Sequence, residues 1–232
     1  MDYYKTVLDS LHRLLLETGV DFWANWIAED IELWENDQSV SHHLNAYGGM
    51  GSFSDVYICV DNKHNITEKQ EPWVNRLFEH LSGFSHLLAE AASKNKTINI
   101  EYYLTKTPPA ARVIEGARCL SCGFSLLTKR NVDNYISPGI VWNEIVGGLK
   151  NNQLEQHVMK CLHLDMPIIE VERTQTKKII DESRISYSDD DGFMRPCRKC
   201  KSNNTVVYRW DKSFKKNTQL FVPSDNNLPI SW

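Results

Sequence analysis

Two cysteine pairs carry the clearest chemistry in this sequence of 232 residues. Cys119 and Cys122 form one CxxC motif, and Cys197 and Cys200 form a second. Two cysteines with two residues between them form a tight turn, called a knuckle below, whose sulfurs converge on one cation. Two knuckles supply four thiolates, and Zn²⁺ prefers such a tetrahedral set at Zn–S distances of about 2.3 Å. The motifs therefore predict a structural zinc site, because four protein ligands leave no position open for a reactive water.

A strand-like stretch follows each knuckle, at residues 124–127 and at residues 205–210. Knuckles that lead into strands are the layout of a zinc ribbon. Here 74 residues separate Cys122 from Cys197, whereas a single ribbon has roughly 15–20 residues at that point. We therefore expect a zinc-ribbon-like domain with a helical insertion. Two alternatives stay open: a redox-active CxxC, which needs a strand before it and a helix after it, and a set of unrelated thiols.

Basic side chains gather around the second knuckle, interleaved with Tyr208 and Trp210. The basic residues are Arg195, Arg198, Lys199, Lys201 and Arg209. Such a set suits nucleic acid, since cations neutralise phosphate charge and aromatic rings stack on bases. It also suits local compensation of the negative charge of four thiolates. Nucleic-acid binding by a regulatory zinc-ribbon protein is therefore kept as the alternative function.

Charge is distributed unevenly along the chain, whose net charge is −4. Residues 1–105 hold 7 basic and 16 acidic residues, and residues 106–232 hold 19 and 14. Part of the acidic excess lies in the segment DFWANWIAEDIELWEN, which Asp21 can cap as a helix. Its aromatic and aliphatic side chains, Phe22 among them, predict a buried stripe. Four carboxylates are predicted on the other, exposed side: Glu29, Asp30, Glu32 and Glu35.

The motif AYGGMGSFSD, residues 46–55, lacks the lysine of a phosphate-binding loop and the G-x-S-x-G frame of a nucleophile elbow. We interpret it as a corner between a helix and a short strand, VYICV at 56–60, in which glycines adopt positive φ. Met50 and Phe53 are then expected in the core, and Asp55 and nearby serines bind the loop's own amides. The alternative is a recognition loop beside the acidic helix. Its partner-binding residues would be Gly49, Met50, Ser52 and Asp55.

A catalytic site would have to form around His42 and His43, with Ser52, Ser54 or Asp55 as partners. No complete catalytic motif surrounds these residues, and no ligand spacing supports a metal cluster between the histidines and nearby carboxylates. We therefore expect no enzymatic activity and keep a hydrolase as a third alternative.

Three features indicate the compartment. Residues 1–19 lack the pattern of a secretory signal, no apolar run approaches the ~20 residues of a membrane span, and the cysteines suit a reducing environment. We expect a cytoplasmic protein without membrane contact, in which Cys59 and Cys161 are buried free thiols.

Apolar spacing predicts three long helices in the first part of the chain, over residues 3–18, 21–36 and 72–95. Pro108 and Pro109 then mark a boundary that a helix does not cross. The predicted fold class is α+β, with a helical domain at 1–105 that contains the GGMGSFSD corner and a zinc-ribbon-like domain at 109–232. Within the second domain, IIEVER at 168–173 is predicted as a strand.

The order of features in the first domain resembles a small family of uncharacterised bacterial proteins: a Trp-containing helix, then AYGGMGSFSD, then a short strand. The resemblance implies a shared helical fold, and it does not extend to the cysteine-containing part of the chain. Compact bacterial proteins of this kind are similar to immunity and antitoxin proteins, which is an analogy of fold and size.

Together these features predict a non-enzymatic protein-binding protein with a structural zinc site. We expect an immunity-type protein whose acidic helix binds and neutralises a basic toxin, such as a nuclease. Charge complementarity would speed the association of the two proteins and disfavour wrong partners.

Overall fold

The structure, a computed structural model, confirms an α+β fold with helices in the first part of the chain and strands in the second. It describes residues 2–100, 104, 113–163, 167–182, 185–188, 196–211 and 217–221. The described helices are α1 (Tyr3–Glu17), α2 (Asp21–Asp37), α3 (Ser41–Asn45), α4 (Glu71–Ser93), α5 (Lys129–Lys150), α6 (Leu154–Leu162) and α7 (Pro167–Glu182), with a short 3-10 helix at Phe53–Asp55. The described strands are β1 (Val113–Cys119), β2 (Ser125–Thr128), β3 (Ser186–Ser188), β4 (Thr205–Asp211) and β5 (Asn217–Phe221).

The described strands form one sheet in the order β3-β2-β1-β4-β5. The central strand β1 is antiparallel to both β2 and β4, whereas β2 and β3 are parallel. The register of β1 and β4 runs from Val113 opposite Asp211 to Cys119 opposite Thr205. The first knuckle begins at the end of β1, and the second lies just before the start of β4. Antiparallel pairing therefore brings the two knuckles together across the 74 residues that separate them in sequence.

The chain divides into two compact units, neither of which is a continuous segment. The first unit combines Met1–Pro108 with Ser137–Met166, and the second combines Pro109–Ile136 with Pro167–Trp232. The sequence predicted a first domain at 1–105 and a second domain at 109–232, and so did not group residues 137–166 with the first part of the chain.

Helix α6 shows why residues 137–166 belong to the first unit. Its apolar face packs against α1 and α4, and Leu154, Val158 and Leu162 are buried there. Gln70 adds a polar contact, since its Nε2 donates a hydrogen bond of 2.7 Å to the carbonyl of Leu162. Residues 137–166, which were predicted as part of an insertion into a ribbon, thus complete the core of the helical unit.

The two short runs predicted as strands are not strands. IIEVER at 168–173 lies within α7, and Pro167 occupies the first position of that helix, where proline is favoured. VYICV at 56–60 lies outside the sheet. The amide of Ile58 donates to Oδ1 of Asn75 at 2.9 Å, and Nδ2 of Asn75 donates to the carbonyl of Ile58 at 2.7 Å. A side-chain amide on α4 therefore satisfies the backbone groups that a neighbouring strand would have satisfied.

Helices α5 and α6 approach each other closely at a glycine. A Cβ atom at Gly148 would lie 2.8 Å from Cα of Leu154 and 3.1 Å from Cβ of His157. Beside this contact, Glu144 accepts hydrogen bonds from Nδ1 of His157 at 2.8 Å and from Nζ of Lys160 at 2.9 Å. The absence of a side chain at Gly148 is therefore what lets these polar groups meet.

We predict that Gly148→Ala lowers the free energy of unfolding by about 1–3 kcal/mol, because the added methyl group has no room against the backbone of α6. Gly83→Ala in α4 is the matched control in the same unit. A Cβ there would meet nothing within 4 Å, and alanine is more favourable than glycine by about 0.5–1 kcal/mol in a helix. Urea unfolding followed by circular dichroism measures both variants, and opposite signs are expected. Equal stabilities for the two variants would contradict the close approach.

Candidate functional site

The four cysteines of the two knuckles meet at one point. Their sulfurs all lie within 4.8 Å of one another. Cys119 Sγ lies 3.6 Å from Cys200 Sγ, and Cys122 Sγ lies 3.7 Å from Cys197 Sγ. A tetrahedron of sulfurs around an ion at 2.3 Å has edges of about 3.8 Å. The cluster therefore has the size and the donor atoms to hold one thiophilic metal ion.

The two knuckles have the same backbone conformation. In the first, the amide of Cys119 donates to the carbonyl of Phe124, and the amide of Gly123 donates back to the carbonyl of Cys119 at 2.9 Å. In the second, the amide of Lys201 donates to the carbonyl of Cys197, also at 2.9 Å. The residue that follows each knuckle has a left-handed conformation, with φ of 72° at Gly123 and 61° at Lys201. Two equivalent turns thus present their sulfurs toward each other.

Backbone amides adjust the acidity of the buried thiols. Burial opposes ionisation of Cys119, yet amides of its own turn, including that of Cys122, donate to its sulfur and lower its pKa to about 6. The same balance of burial against amide donors lowers the pKa of Cys197. The amide of Ser202 favours the thiolate of Cys200, but the neighbouring sulfurs outweigh it and raise the pKa of that thiol to about 12. The neighbouring sulfurs therefore oppose ionisation of Cys200, and a bound cation would offset that opposition.

Apolar side chains surround the buried side of the cluster. Cys119 and Cys197 pack with Ala117 and Leu126, and Phe124 lies against this group. Such a shell limits the access of water to the sulfurs and fixes their positions. Four thiolates in a closed set can hold an ion, and they provide no open position at which a substrate would bind.

We predict that Cys119→Ser and Cys200→Ser each abolish tight binding of a thiophilic metal ion, because each removes one of four ligands. Titration of the reduced, metal-free chain with Co²⁺ measures this through the absorption of thiolate-bound cobalt. Cys59→Ser and Cys161→Ser are the controls and should bind normally, since both cysteines are buried free thiols elsewhere in the chain. Unchanged Co²⁺ affinity in Cys119→Ser would show that the cluster is not a metal site.

A second candidate region lies on α2 in the first unit. Glu29, Glu32 and Glu35 are exposed and form what we call the acidic face. Asp30, which the sequence placed on this face, is only 1% exposed, so that prediction was wrong. One residue along a helix is a rotation of about 100°, and this rotation turns Asp30 toward α3 and α4. Glu35 is also paired, since its carboxylate lies 3.2 Å from Nζ of Lys5.

Asp30 is the centre of a buried hydrogen-bond network. Its two carboxylate oxygens accept from Nδ1 of His42 at 2.6 Å and from Nδ1 of His43 at 2.7 Å. On its other side, Nε2 of His43 lies 3.1 Å from Oγ of Ser85. The order Ser–His–Asp has the spacing of a catalytic triad, but Ser85 is fully buried and its hydroxyl donates to the carbonyl of Ser82 at 2.9 Å. The network joins α2, α3 and α4 and presents no accessible nucleophile at Ser85.

The outer edge of this network reaches the surface next to the acidic face. The imidazole of His42 stacks on Trp26, with ring centroids 4.2 Å apart and planes inclined by 19°. Its Nε2 lies 3.5 Å from a carboxylate oxygen of Glu29. Phe22 packs edge-on against Trp23 and is 68% exposed, so its assignment to the buried stripe was wrong. Exposed aromatic and acidic groups therefore share one surface.

The glycine motif forms a closed loop beside these aromatic rings. Positive φ angles occur at Gly48, Gly49 and Gly51, as the sequence predicts. The amide of Phe53 donates to the carbonyl of Ala46 at 2.9 Å and closes the loop, and Asp55 accepts from the amide of Gly51 at 2.8 Å. Phe53 is buried against Trp23, as expected.

Met50 differs from the prediction. Its side chain is fully exposed at the tip of the loop, because the glycines turn the chain outward there. Gly49 and Asp55 are also exposed, and Ser52 is half-buried. Three of the four residues predicted for a recognition loop are therefore accessible to a partner.

Sequence reasoning missed the parts of the network that α4 contributes. Ser82 and Ser85 are buried polar residues within the apolar stripe of that helix. Tyr47 joins them, since its hydroxyl donates to the carbonyl of Ser82 at 3.0 Å. The two serines that interrupt the stripe were the available signal, because a polar residue in a buried position needs a partner.

The basic residues near the second knuckle have different surroundings. Arg198, Lys199 and Lys201 are exposed. Arg209 is instead paired with Glu115 on the neighbouring strand, at 3.0 Å from its Nε. Arg195 lies outside the described residues.

Residues 16–67 match a family described as a domain of unknown function, DUF6966. The match contains α2, α3 and the glycine loop, and it does not reach the knuckles. No curated protein and no solved structure matches the chain. None of the described helices combines the length and the apolarity needed to cross a bilayer.

We predict that Asp30→Asn lowers the free energy of unfolding by about 3 kcal/mol, since an amide NH2 group replaces one of the two accepting carboxylate oxygens and leaves a buried imidazole donor unpaired. Glu32→Gln makes the same chemical change on the acidic face and should alter stability by less than about 0.5 kcal/mol. Urea unfolding compares the two variants. A small effect in both would show that the buried network contributes little to the fold.

Proposed function

We propose that this chain is a non-enzymatic protein-binding protein, stabilised by a structural zinc ion and of the immunity type. One observation supports this function most directly. The acidic face of α2 lies beside an exposed phenylalanine, Phe22, on a surface that a buried network holds in place. Large exposed apolar side chains next to charged groups are typical of protein interfaces.

The chemistry of the surface favours a basic partner. Glu29 and Glu32 carry exposed carboxylates, and the exposed aromatic ring of Phe22 attracts cations through its face. An arginine of the partner could stack on a ring and pair with a carboxylate at the same time. A basic toxin such as a nuclease would present several such residues, and long-range attraction would speed its capture.

Zinc is the ion that best suits the knuckles. Four thiolates, the observed sulfur distances and a left-handed residue directly after each knuckle are features that favour a zinc-ribbon site. The ion would fasten the end of β1 to the start of β4 and so stabilise the second unit. Such a site also requires reduced cysteines, which the cytoplasm provides.

A second candidate function is nucleic-acid binding by the second unit. The exposure of Arg198, Lys199 and Lys201 on one knuckle supports it. The sheet that follows the knuckles adds an aromatic group and a further cation. The guanidinium of Arg118 on β1 lies over the ring of Tyr208 on β4, 4.9 Å from its centroid. Phosphate contacts from such residues would give binding that weakens steeply with salt.

We predict that the double variant Glu29→Lys/Glu32→Lys binds a basic toxin encoded next to its gene at least about tenfold more weakly, through slower association. The control is Asp61→Lys/Glu68→Lys, which changes net charge equally at exposed positions outside the acidic face and should bind within about twofold of the parent. Surface plasmon resonance at two salt concentrations measures the rates.

Two outcomes would contradict the proposed function. Equal loss in both double variants would indicate a general effect of charge and not a defined surface. If no basic protein binds, while salt-dependent DNA binding is lost in Arg198→Ala/Lys199→Ala/Lys201→Ala, the nucleic-acid function replaces the immunity function.

A further inference from the structure

The four cysteines of the cluster differ in their access to solvent. Cys119 and Cys197 are completely buried, Cys122 is half-buried, and Cys200 is exposed. A thiolate reacts with a dissolved oxidant only where the oxidant can reach it. Cys200 is therefore the cysteine of the cluster that an oxidant reaches most easily.

The surroundings of Cys200 are cationic. Arg198, Lys199 and Lys201 flank it in the second knuckle and are exposed. Nζ of Lys201 donates to the carbonyl of Arg198 at 3.3 Å, which keeps this ammonium at the knuckle. Nearby positive charge stabilises the negative charge that develops on a departing oxygen.

A second sulfur lies within reach of Cys200. Cys119 Sγ is 3.6 Å from Cys200 Sγ, on the opposite knuckle. Cys122 and Cys197 form the corresponding pair, with sulfurs 3.7 Å apart. An oxidised Cys200 sulfur therefore already has the thiolate of Cys119 beside it.

We propose that Cys200 is a modification site for hydroperoxides, at which oxidation opens the metal cluster. The inference rests on the proposed zinc site, where all four cysteines are thiolates. Cys200 Sγ attacks one oxygen of hydrogen peroxide, the O–O bond breaks, and the departing hydroxide takes up a proton to give water. Cys119 Sγ then attacks the sulfenic sulfur, the S–O bond breaks, and a second hydroxide becomes water.

The products balance. Two thiolates, one hydrogen peroxide and two protons give one disulfide and two waters, so the sulfurs lose the two electrons that the peroxide gains. The cluster then keeps two of its four thiolates, which no longer form a tetrahedral set. Loss of the ion would leave the two knuckles joined by one disulfide, with Cys122 and Cys197 as free thiols.

The test exposes the zinc-loaded, full-length chain to hydrogen peroxide. Released zinc is measured with a chromophoric chelator, and mass spectrometry after alkylation locates the first disulfide. We expect zinc release in step with a disulfide between Cys119 and Cys200. The buried thiols Cys59 and Cys161 should stay reduced, since burial raises the pKa of Cys161 to about 12.

Two matched variants distinguish the effect of exposure at Cys200 from the effect of replacing any one cysteine ligand by histidine. Cys200→His and Cys122→His each keep four ligands, because imidazole also binds zinc. Cys200→His should release zinc about tenfold more slowly than the parent, whereas Cys122→His should change the rate much less. Equal rates in the two variants, or a first disulfide that lacks Cys200, would overturn the proposal. A chain that carries no zinc at all would instead overturn the proposed metal site itself.

Discussion

The pairing of β1 with β4 is the constraint on which the metal cluster depends. Each knuckle alone supplies two sulfurs, and only the antiparallel register of these strands places the two pairs within bonding distance of one ion. The long sequence separation is a small obstacle. Closing a loop of 74 residues in place of one of 15–20 residues costs only about 1.2 kcal/mol more, because loop entropy grows with the logarithm of length. A central strand pair can offset that cost easily.

A single buried carboxylate has a comparable part in the first unit. Asp30 joins three helices through His42 and His43, and its inward direction sets the direction of its neighbours. Glu29 points outward because Asp30 points inward. The surface that we assign to partner binding is thus the outer side of the network that stabilises the core.

The sequence predicted the parts of the fold that depend on local signals. The α+β class, the three long helices of the first domain and the positive φ angles of the glycine loop follow from spacing and residue type. Convergence of the four cysteines also follows, since thiolates at CxxC spacing have few other uses. The predictions that were wrong concern residues whose burial depends on tertiary packing. Asp30 and Phe22 exchanged their expected environments, because hydrophobicity alone does not indicate which side of an amphipathic helix a neighbouring helix covers.

The strand predictions for VYICV and IIEVER were wrong for a related reason. A run of five or six residues that holds several apolar side chains suits a strand or a buried helix segment, and periodicity alone does not separate the two. Pro167 decided one case and Asn75 the other, each through a contact or a backbone preference outside the run. The sequence also did not predict that α6 belongs to the first unit. Its packing partners, α1 and α4, precede it by more than sixty residues in the chain.

The interleaving of the two units has a consequence for synthesis on the ribosome. The first knuckle emerges before α6, which completes the first unit, and the second knuckle emerges after it. At about 5–20 residues per second, roughly 4–15 s pass between the appearance of the first cysteine pair and that of the second. During this interval the nascent chain holds two unsatisfied thiols and a central strand without its main partner. The helical unit therefore closes first, and the metal cluster assembles only as the last third of the chain arrives.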